Sequence, residues 1–332
     1  MAEHADNVTA ARRVSGGTRR SPEPLDPGEI KSVPVRHPGR WVGTVVVVVL
    51  IAVLVKSLLT NPNYEWDVVG KYFTNESILR GGLLTLELTA VSMAVGILLG
   101  IILAVMRGSP NPILSYAAGV YIWFFRGTPL LVQLLFWFNL SALYPELTLG
   151  IPFGPQFVDV DANALITPLV AAFLGLALNE GAYMAEIVRA GIVSVQPGQH
   201  QAAASLGMTR MQTMRRIVLP QAMRVIIPPT GNQTIAMLKT TSLVSVLAIA
   251  ELLYSAQIIY SRTFQTIPLL LVASIWYLIA TSLLTIVQTR IERRFAPDTY
   301  EPGEPFLGRL RGNLVWLRPR AAQDATKGDE HR

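Results

Sequence analysis

Apolar residues in this chain are gathered into six long segments, separated by more polar stretches. These segments cover residues 41–59, 82–105, 113–140, 165–187, 238–259 and 267–287. Each approaches or exceeds the roughly 20 residues that a helix needs to cross about 30 Å of hydrocarbon. Helices are expected, because an isolated strand would leave its backbone polar groups unpaired in lipid. The pattern therefore predicts an all-α membrane protein with six spans.

Two details of the segments predict local geometry. The third segment is the longest and contains Pro129. Because proline removes one backbone hydrogen bond, we expect a kink at that point. The second segment contains Gly96 and Gly100 at the four-residue spacing that favours close helix packing.

The distribution of basic residues predicts the orientation. Arg and Lys are concentrated before the first segment, around Arg107, in the polar stretch after the fourth segment, and after the last segment, whereas residues 141–164 carry none. With six spans, all these basic clusters fall on one side, which the positive-inside rule identifies as the cytoplasm. Both termini and the polar stretch are therefore expected in the cytoplasm of a multi-pass protein of the cell membrane.

Composition agrees with the membrane class. Hydrophobic residues make up 51% of the 332 positions and charged residues 15%, and the mean hydropathy is +0.40. A soluble domain would carry about 25% charge. The net charge of +6 resides in the tails and the polar stretch, so it indicates topology rather than nucleic-acid binding. Residues 1–40 are predicted to form a disordered basic tail and residues 295–332 a second, loosely ordered tail.

Several kinds of chemistry are excluded by missing residues. The chain has no Cys and no GxxxxGK[ST] phosphate loop, and none of its four His lies inside a predicted span. No HExxH is present. We therefore expect no metal, no cofactor and no catalytic residue, and the energy for any transport must come from a partner.

The polar stretch at 197–220 has the features of a docking element. Pro197 and Gly198 are expected to stop the fourth helical segment just before it. Residues 199–206 are rich in Ala and predict a short helix, which Gly207 ends by adopting a positive φ. Thr209 and Gln212 are spaced as a capping box for a second helix, which Pro220 is expected to end or bend. Small side chains would allow another protein to approach the backbone closely.

Four motifs, in the same order, resemble one family. They are FRGTPLLVQ at 125–133, GAYMAEIVRAGI at 181–192, the stretch 199–220, and Gly231-Asn232 followed by KTTSL at 239–243. Together they resemble the permease subunits of polar amino-acid ABC importers, the histidine/glutamate/glutamine/arginine group, whose EAA loop corresponds to 197–220.

The resemblance implies a fold and a set of partners. It implies the type I ABC importer transmembrane fold, with a five-helix core at 81–294 and one additional N-terminal transmembrane helix at 41–60. It also implies a separate ABC ATPase, a second permease subunit (identical or a paralogue), an extracytoplasmic solute-binding protein and an amino-acid substrate. The ATPase-coupling residues would be Gln201, Ala202, Ala203, Ser205, Leu206 and Gly207.

This chain departs from the family pattern at two motif positions. The family usually has Glu where Gln201 stands and Asp or Asn where Thr240 stands. A salt bridge to the ATPase from the first position, and a polar contact at the second, are therefore in question.

Polar residues within the spans are candidates for the substrate path, since each is costly in lipid. Glu180 either contacts a cationic group of the substrate or makes an interhelical hydrogen bond. Arg126 either meets the substrate carboxylate or braces the kink, where Arg126 or Thr128 could bond the freed backbone carbonyl. Gln133 binds either a neighbouring helix or the substrate, and Ser242 lies in the KTTSL motif. Glu186 can pair with Arg189 at i+3, and Lys239 is placed near a span end.

Three functions are compatible with the spans. The favoured one is a permease subunit that carries a polar or charged amino acid into the cytoplasm, driven by a separate ATPase. The alternatives are a membrane-embedded scaffold or sensor without transport, and an ion-coupled secondary transporter, which would be expected to show inverted repeats.

Overall fold

The computed structural model describes residues 38–150 and 156–295. The chain divides into two units, Met1–Asn61 and Pro62–Arg332. In the first unit the helix α1 spans Pro38–Thr60, where the additional N-terminal helix was predicted. The two predicted tails lie almost wholly outside the described residues.

The second unit is mainly helical, and its elements follow in chain order. They are α2 (Trp66–Phe73), α3 (Glu76–Arg107), α4 (Pro112–Gly127), α5 (Leu130–Phe138), α6 (Leu140–Leu143), β1 (Glu146–Gly150), β2 (Gln156–Asp161), α7 (Ala162–Leu165), α8 (Pro168–Val193), α9 (Pro197–Ser205), α10 (Arg210–Thr213), α11 (Leu219–Thr240), α12 (Leu252–Thr263) and α13 (Thr266–Phe295). A short π-helix, Met214–Val218, joins α10 to α11, and a 3-10 helix, Thr241–Leu247, follows α11.

Four described helices are long and apolar enough to cross a membrane: α1, α3, α8 and α13. Two bent pairs also pass the test, α4 with α5 and the stretch Arg210–Leu247 with α12. Among the described residues the count is therefore four spans, or up to six if each bent pair forms one span, so the six predicted from hydropathy require both pairs to cross the membrane.

The predicted kink at Pro129 is a complete break. The helix α4 ends at Gly127, α5 begins at Leu130, and their axes differ by 103°. The prediction of one long kinked helix over 113–140 was therefore wrong in degree. Pro129 disfavours helical backbone at the residue before it, and Thr128 is extended at φ −108° and ψ 142°.

The fifth predicted span is displaced towards the N-terminus. Instead of beginning at 238, helical structure runs from Leu219 through Thr240 and continues as the 3-10 helix. Pro220 occupies the first turn of α11, a position where its missing N–H is not needed, so the expectation that it ends a helix was wrong. Lys239 consequently lies about 30 Å along α11 from its start, not near the polar loop.

The bundle is organised around the contact between α3 and α8. A Cβ on Gly96 would lie 2.7 Å from Cγ of Glu180, and Gly100 contacts Met184 in the same way. On the facing helix, the missing side chain of Gly181 in α8 leaves space for Leu99 of α3. The predicted GxxxG spacing therefore serves helix packing, as expected.

A short hairpin lies between α6 and α7. Strands β1 and β2 are antiparallel, with Glu146 opposite Asp161 and Leu147 opposite Val160. The hydropathy pattern did not predict this hairpin, because its strands of five and six residues are too short to stand out from a polar connection.

Candidate functional site

The predicted docking element is a helix that ends in a complete Schellman motif. The helix α9 ends at Ser205, and Gly207 follows at φ 72°. Its N–H donates to the Ala204 carbonyl at 2.9 Å, and that of Met208 donates to the Ala203 carbonyl at 3.1 Å. These two bonds satisfy carbonyls that the helix end would leave open. Gly207 therefore fixes the direction in which the chain leaves α9.

The second helix of the loop begins with the predicted capping box. Oγ1 of Thr209 accepts from the Gln212 N–H at 3.3 Å, and Oε1 of Gln212 accepts from the Thr209 N–H at 2.9 Å. Pro197 was expected to stop the preceding helix. Instead α8 already ends at Val193, and Pro197 occupies the first turn of α9.

The exposed surface of this loop combines small side chains with two protruding apolar ones. Of the predicted coupling residues, the exposed ones are Gln201, Ala202, Ser205, Leu206 and Gly207. Leu206 is 80% exposed, and Met211 beyond the turn is 75% exposed. Ala203 differs, since it is buried and faces the rest of the protein. Ala203 therefore packs α9 against the rest of the protein, while the exposed residues form the surface available to a partner.

A polar network occupies the break between α4 and α5. Because Pro129 has no N–H, the Phe125 carbonyl four residues earlier lacks its helical donor. Nε2 of Gln133 lies 3.0 Å from this oxygen, and Nδ2 of Asn179 donates to it at 2.9 Å. Gln133 also bonds Oγ1 of Thr128 at 2.7 Å and accepts from Asn179 at 3.2 Å. Of the two roles predicted for Gln133, these contacts favour a hydrogen bond to the neighbouring helix α8 over binding of the substrate.

Arg126 and Thr128 have different surroundings. Oγ1 of Thr128 donates to the Phe124 carbonyl at 2.9 Å, so Thr128 does brace the break. Arg126 is exposed, and its guanidinium carbon lies 5.4 Å from the centre of the Tyr183 ring, within cation–π range. The bracing role predicted for Arg126 falls instead to Gln133 and Asn179.

Glu180 is a carboxylate buried between α3, α8 and α11. It is 4% exposed, and its described polar contacts are with Nε2 of Gln233, at 3.4 and 3.5 Å. Both contacts are at the upper limit of a hydrogen bond. Gly96 leaves the space for its side chain. The site therefore holds a carboxylate with unused acceptor capacity, next to an amide.

The remaining candidate residues, Glu186 and Ser242, are bonded to groups of their own chain. Glu186 and Arg189 form the predicted ion pair at 2.8 Å. Oγ of Ser242 donates to the Lys239 carbonyl at 2.7 Å, so it caps the end of α11 within its own chain segment. Groups of three or more His, Asp or Glu suited to a metal are absent from the described residues.

One polar centre was missed by sequence reasoning. Glu251 is fully buried and caps α12 by accepting from the Leu253 and Tyr254 N–H groups at 3.0 and 2.8 Å. The Tyr277 hydroxyl of α13 donates to it at 2.7 Å, and Oγ1 of Thr85 on α3 lies 3.4 Å away. A lone Glu within an apolar run was the available signal.

The sequence of this helical bundle, including the small-residue helix α9, matches a known family model. Residues 96–297 match the family described as "Binding-protein-dependent transport system inner membrane component". The chain belongs to this family. It is a transport subunit, and ATP hydrolysis belongs to a separate subunit in such systems.

Two similar proteins are named as permeases of amino-acid transport systems. The arginine transport system permease protein ArgU of Corynebacterium glutamicum is 48% identical over 81% of this chain and 84% of its own length. The L-cystine transport system permease protein TcyB of Bacillus subtilis is 40% identical over 69% of this chain and 90% of its own.

A solved structure supports the fold assignment. The crystal structure of an amino acid ABC transporter with histidines superposes with a TM-score of 0.56 at 37% identity, covering 66% of this chain and 94% of that one. The type I ABC importer fold predicted from the motifs is thereby confirmed. These findings favour the importer reading over a scaffold or an ion-coupled transporter.

Proposed function

We propose that this permease carries a cationic amino acid into the cytoplasm as part of an ATP-driven importer. The observation that carries the proposal is Glu180, an under-bonded buried carboxylate in the bundle. A carboxylate in a membrane interior that lacks a cation partner is suited to a passing cation. The 48% identity to an arginine permease points to the same substrate class.

The face of α9 is the proposed contact with the ATPase. Its exposed residues, Gln201, Ala202, Ser205, Leu206 and Gly207, combine small side chains with one protruding leucine. A small-residue helix surface permits close approach of a groove, and the exposed Leu206 side chain would supply apolar contact once the partner covers it. Gln201, unlike the usual Glu, contributes a neutral hydrogen bond there.

The assembly needs three kinds of partner. Two permease subunits form the path, an ATPase binds each α9, and an extracytoplasmic solute-binding protein delivers the amino acid. This arrangement requires six spans, with α9 and both termini in the cytoplasm. The basic residues flanking α9 support that orientation. The proposed domain limits are 41–60 for the additional helix and 81–294 for the permease core.

The substrate path is proposed to pass Glu180, with Arg126 as the candidate contact for the α-carboxylate. Arg126 remains exposed in the protomer and is held over Tyr183. Thr128, Gln133 and Ser242 are internally bonded, so their proposed role is to shape the path rather than to bind the cargo.

Reconstitution tests the function directly. Proteoliposomes containing the permease and its ATPase, supplied with the binding protein, are expected to accumulate labelled arginine only when ATP is provided. A sodium or proton gradient without ATP should give no uptake above that of empty vesicles. Gradient-driven uptake, or ATP-driven uptake of neutral amino acids alone, would contradict the proposal.

A further inference from the structure

Three charged side chains within the apolar segments of the second unit are left without an ion pair or side-chain hydrogen bond among the described residues. They are Glu87 on α3, Arg126 on α4 and Lys239 on α11, and all three are exposed. Arg126 lies against the Tyr183 ring. Glu87 and Lys239 have no such ring contact among the described residues, and both are exposed on the surface of the protomer.

Glu87 interrupts an otherwise apolar face of α3. On the same face, four residues before and after it, Leu83 is 57% exposed and Val91 is 51% exposed, and Leu98 further along is 60% exposed. Such a stripe fits lipid or another apolar helix, whereas a carboxylate within it is stabilised by a surface that offers a cation.

The positions of Glu87 and Lys239 along the bundle can be compared by measuring both from one buried cluster that α3 and α11 share. Ala104 of α3 and Ile226 of α11 pack in one buried cluster near the α9 end of the bundle. Glu87 lies 17 residues from Ala104 and Lys239 lies 13 from Ile226, which correspond to about 25 and 20 Å along the helices. Their neighbours Leu88 and Met237 share a second cluster, so the two charges lie at nearly the same level.

Arg126 lies at a different level. Ala118 of α4 packs in one cluster with Leu103 of α3, and Arg126 is only eight residues beyond Ala118, about 12 Å along the helix. It is therefore more than 10 Å shallower than Glu87. Depth thus selects Lys239 as the cation that matches Glu87.

We propose that Glu87 pairs with Lys239 of the partner subunit, where the partner is a second copy of this chain. The inference rests on the proposed function, which requires two permease subunits. In a two-fold assembly the same surface is used by both copies, so the pair forms twice. Charge complementarity at one depth would then fix the register of the two bundles, and the apolar residues around Glu87 would be covered by the partner.

Disulfide cross-linking tests this pairing, because the chain contains no cysteine. One copy carries Glu87→Cys with one tag, and a second carries Lys239→Cys with another tag. Both are expressed with the ATPase and oxidised in membranes. We expect a disulfide-linked species that contains both tags, at least fivefold more abundant than with Leu98→Cys in place of Glu87→Cys. Leu98 is on the same face but about 16 Å further along α3.

Two outcomes would overturn the pairing. One is a mixed-tag yield no higher than that of the Leu98→Cys control. The other is a higher yield of the mixed-tag species when Lys56→Cys replaces Lys239→Cys. Lys56 is the lysine of α1, the spanning helix of the first unit.

Charge reversal provides a second test that does not depend on cysteines. Glu87→Lys alone and Lys239→Glu alone should each lower the amount of assembled transporter recovered by at least fivefold. The chain that carries both changes should recover at least half of the wild-type amount. Equal loss in the double variant would overturn the proposal. ATP-driven arginine uptake by the wild-type permease is measured in parallel, so the proposed function can stand even if the pairing fails.

Discussion

At the residue scale, each ionisable group inside the bundle is explained by what faces it. Glu251 is saturated by donors from its own helix and from Tyr277, which makes it a structural anchor. Glu186 is neutralised by Arg189. Glu180 has only the long contacts from Gln233, and this difference in partners is the reason to assign it to the substrate.

Replacing Glu180 tests that assignment. Glu180→Gln keeps the shape of the side chain but removes the charge, and a hydrogen bond to a charged group contributes about 1.5–3 kcal/mol. We therefore expect a loss of at least tenfold in arginine uptake relative to wild type. Uptake rates in proteoliposomes provide the measurement, and Glu186→Gln serves as the control because its partner is internal. Equal effects of the two variants on arginine uptake would remove Glu180 from the path.

Gln133 should matter for stability rather than for selectivity. Gln133→Leu leaves the Phe125 carbonyl with the Asn179 donor alone and removes the bonds to Thr128. Loss of a partner for buried polar groups costs about 1–3 kcal/mol, so we expect a lower melting temperature of the detergent-purified permease. Val132→Leu, at an exposed neighbouring position, is the control and should melt like wild type.

At the scale of elements, local sequence sets the direction of the polar loop by capping the helix ends on both sides of its turn. The Schellman motif at Gly207 and the capping box at Thr209 are built from residues within one turn of each other. The helix α9 is therefore presented at a fixed angle, and its small residues, not its length, define the surface for a partner.

The size of that surface can be tested with one side chain. Ala202→Arg places a long charged group on the exposed face of α9, and we expect loss of ATPase recovery in a pull-down from co-expressing cells. Ala202→Ser keeps the residue small and should retain the ATPase. If both variants recover wild-type amounts, the contact lies elsewhere on the permease.

Packing of α3 against α8 is a second property of elements. A Cβ at Gly100 would overlap Met184 and approach the Ala185 backbone. Overpacking of this kind costs about 1–3 kcal/mol, so Gly100→Ala should lower the melting temperature of the purified permease. Gly43→Ala, where nothing lies within 4 Å, is the matched control. An unchanged melting temperature for Gly100→Ala would contradict the tight contact.

At the scale of the whole molecule, the orientation follows from the basic residues at the α9 end, and labelling can test it. Ser205 on the loop and Phe264 between α12 and α13 are both exposed. We expect Phe264→Cys to react with a membrane-impermeant maleimide in intact cells, and Ser205→Cys to react only after permeabilisation. The reverse pattern would place α9 outside the cell and remove its contact with an ATPase.

The approximate positions of the spanning helices other than the fifth, the turn at Gly207 with the capping box at Thr209, and the Glu186–Arg189 pair could be predicted from the sequence alone. Hydropathy, capping and i+3 pairing act between residues that are close in the chain, so they are decided by local sequence. The same local signals were insufficient at Pro129, where the sequence indicated a bend but could not give its angle.

Only the tertiary structure decided which polar groups meet. Gln133 and Asn179 are 46 residues apart, Gln233 and Glu180 are 53 apart, and Thr85 and Glu251 are 166 apart. Each of these contacts depends on which faces of separate helices are brought together by packing. The shift of the fifth span has the same origin, since α11 remains helical across Pro228 and Pro229 while it packs against α8 and α13. Local sequence thus determined the helices and their caps, and packing determined their partners.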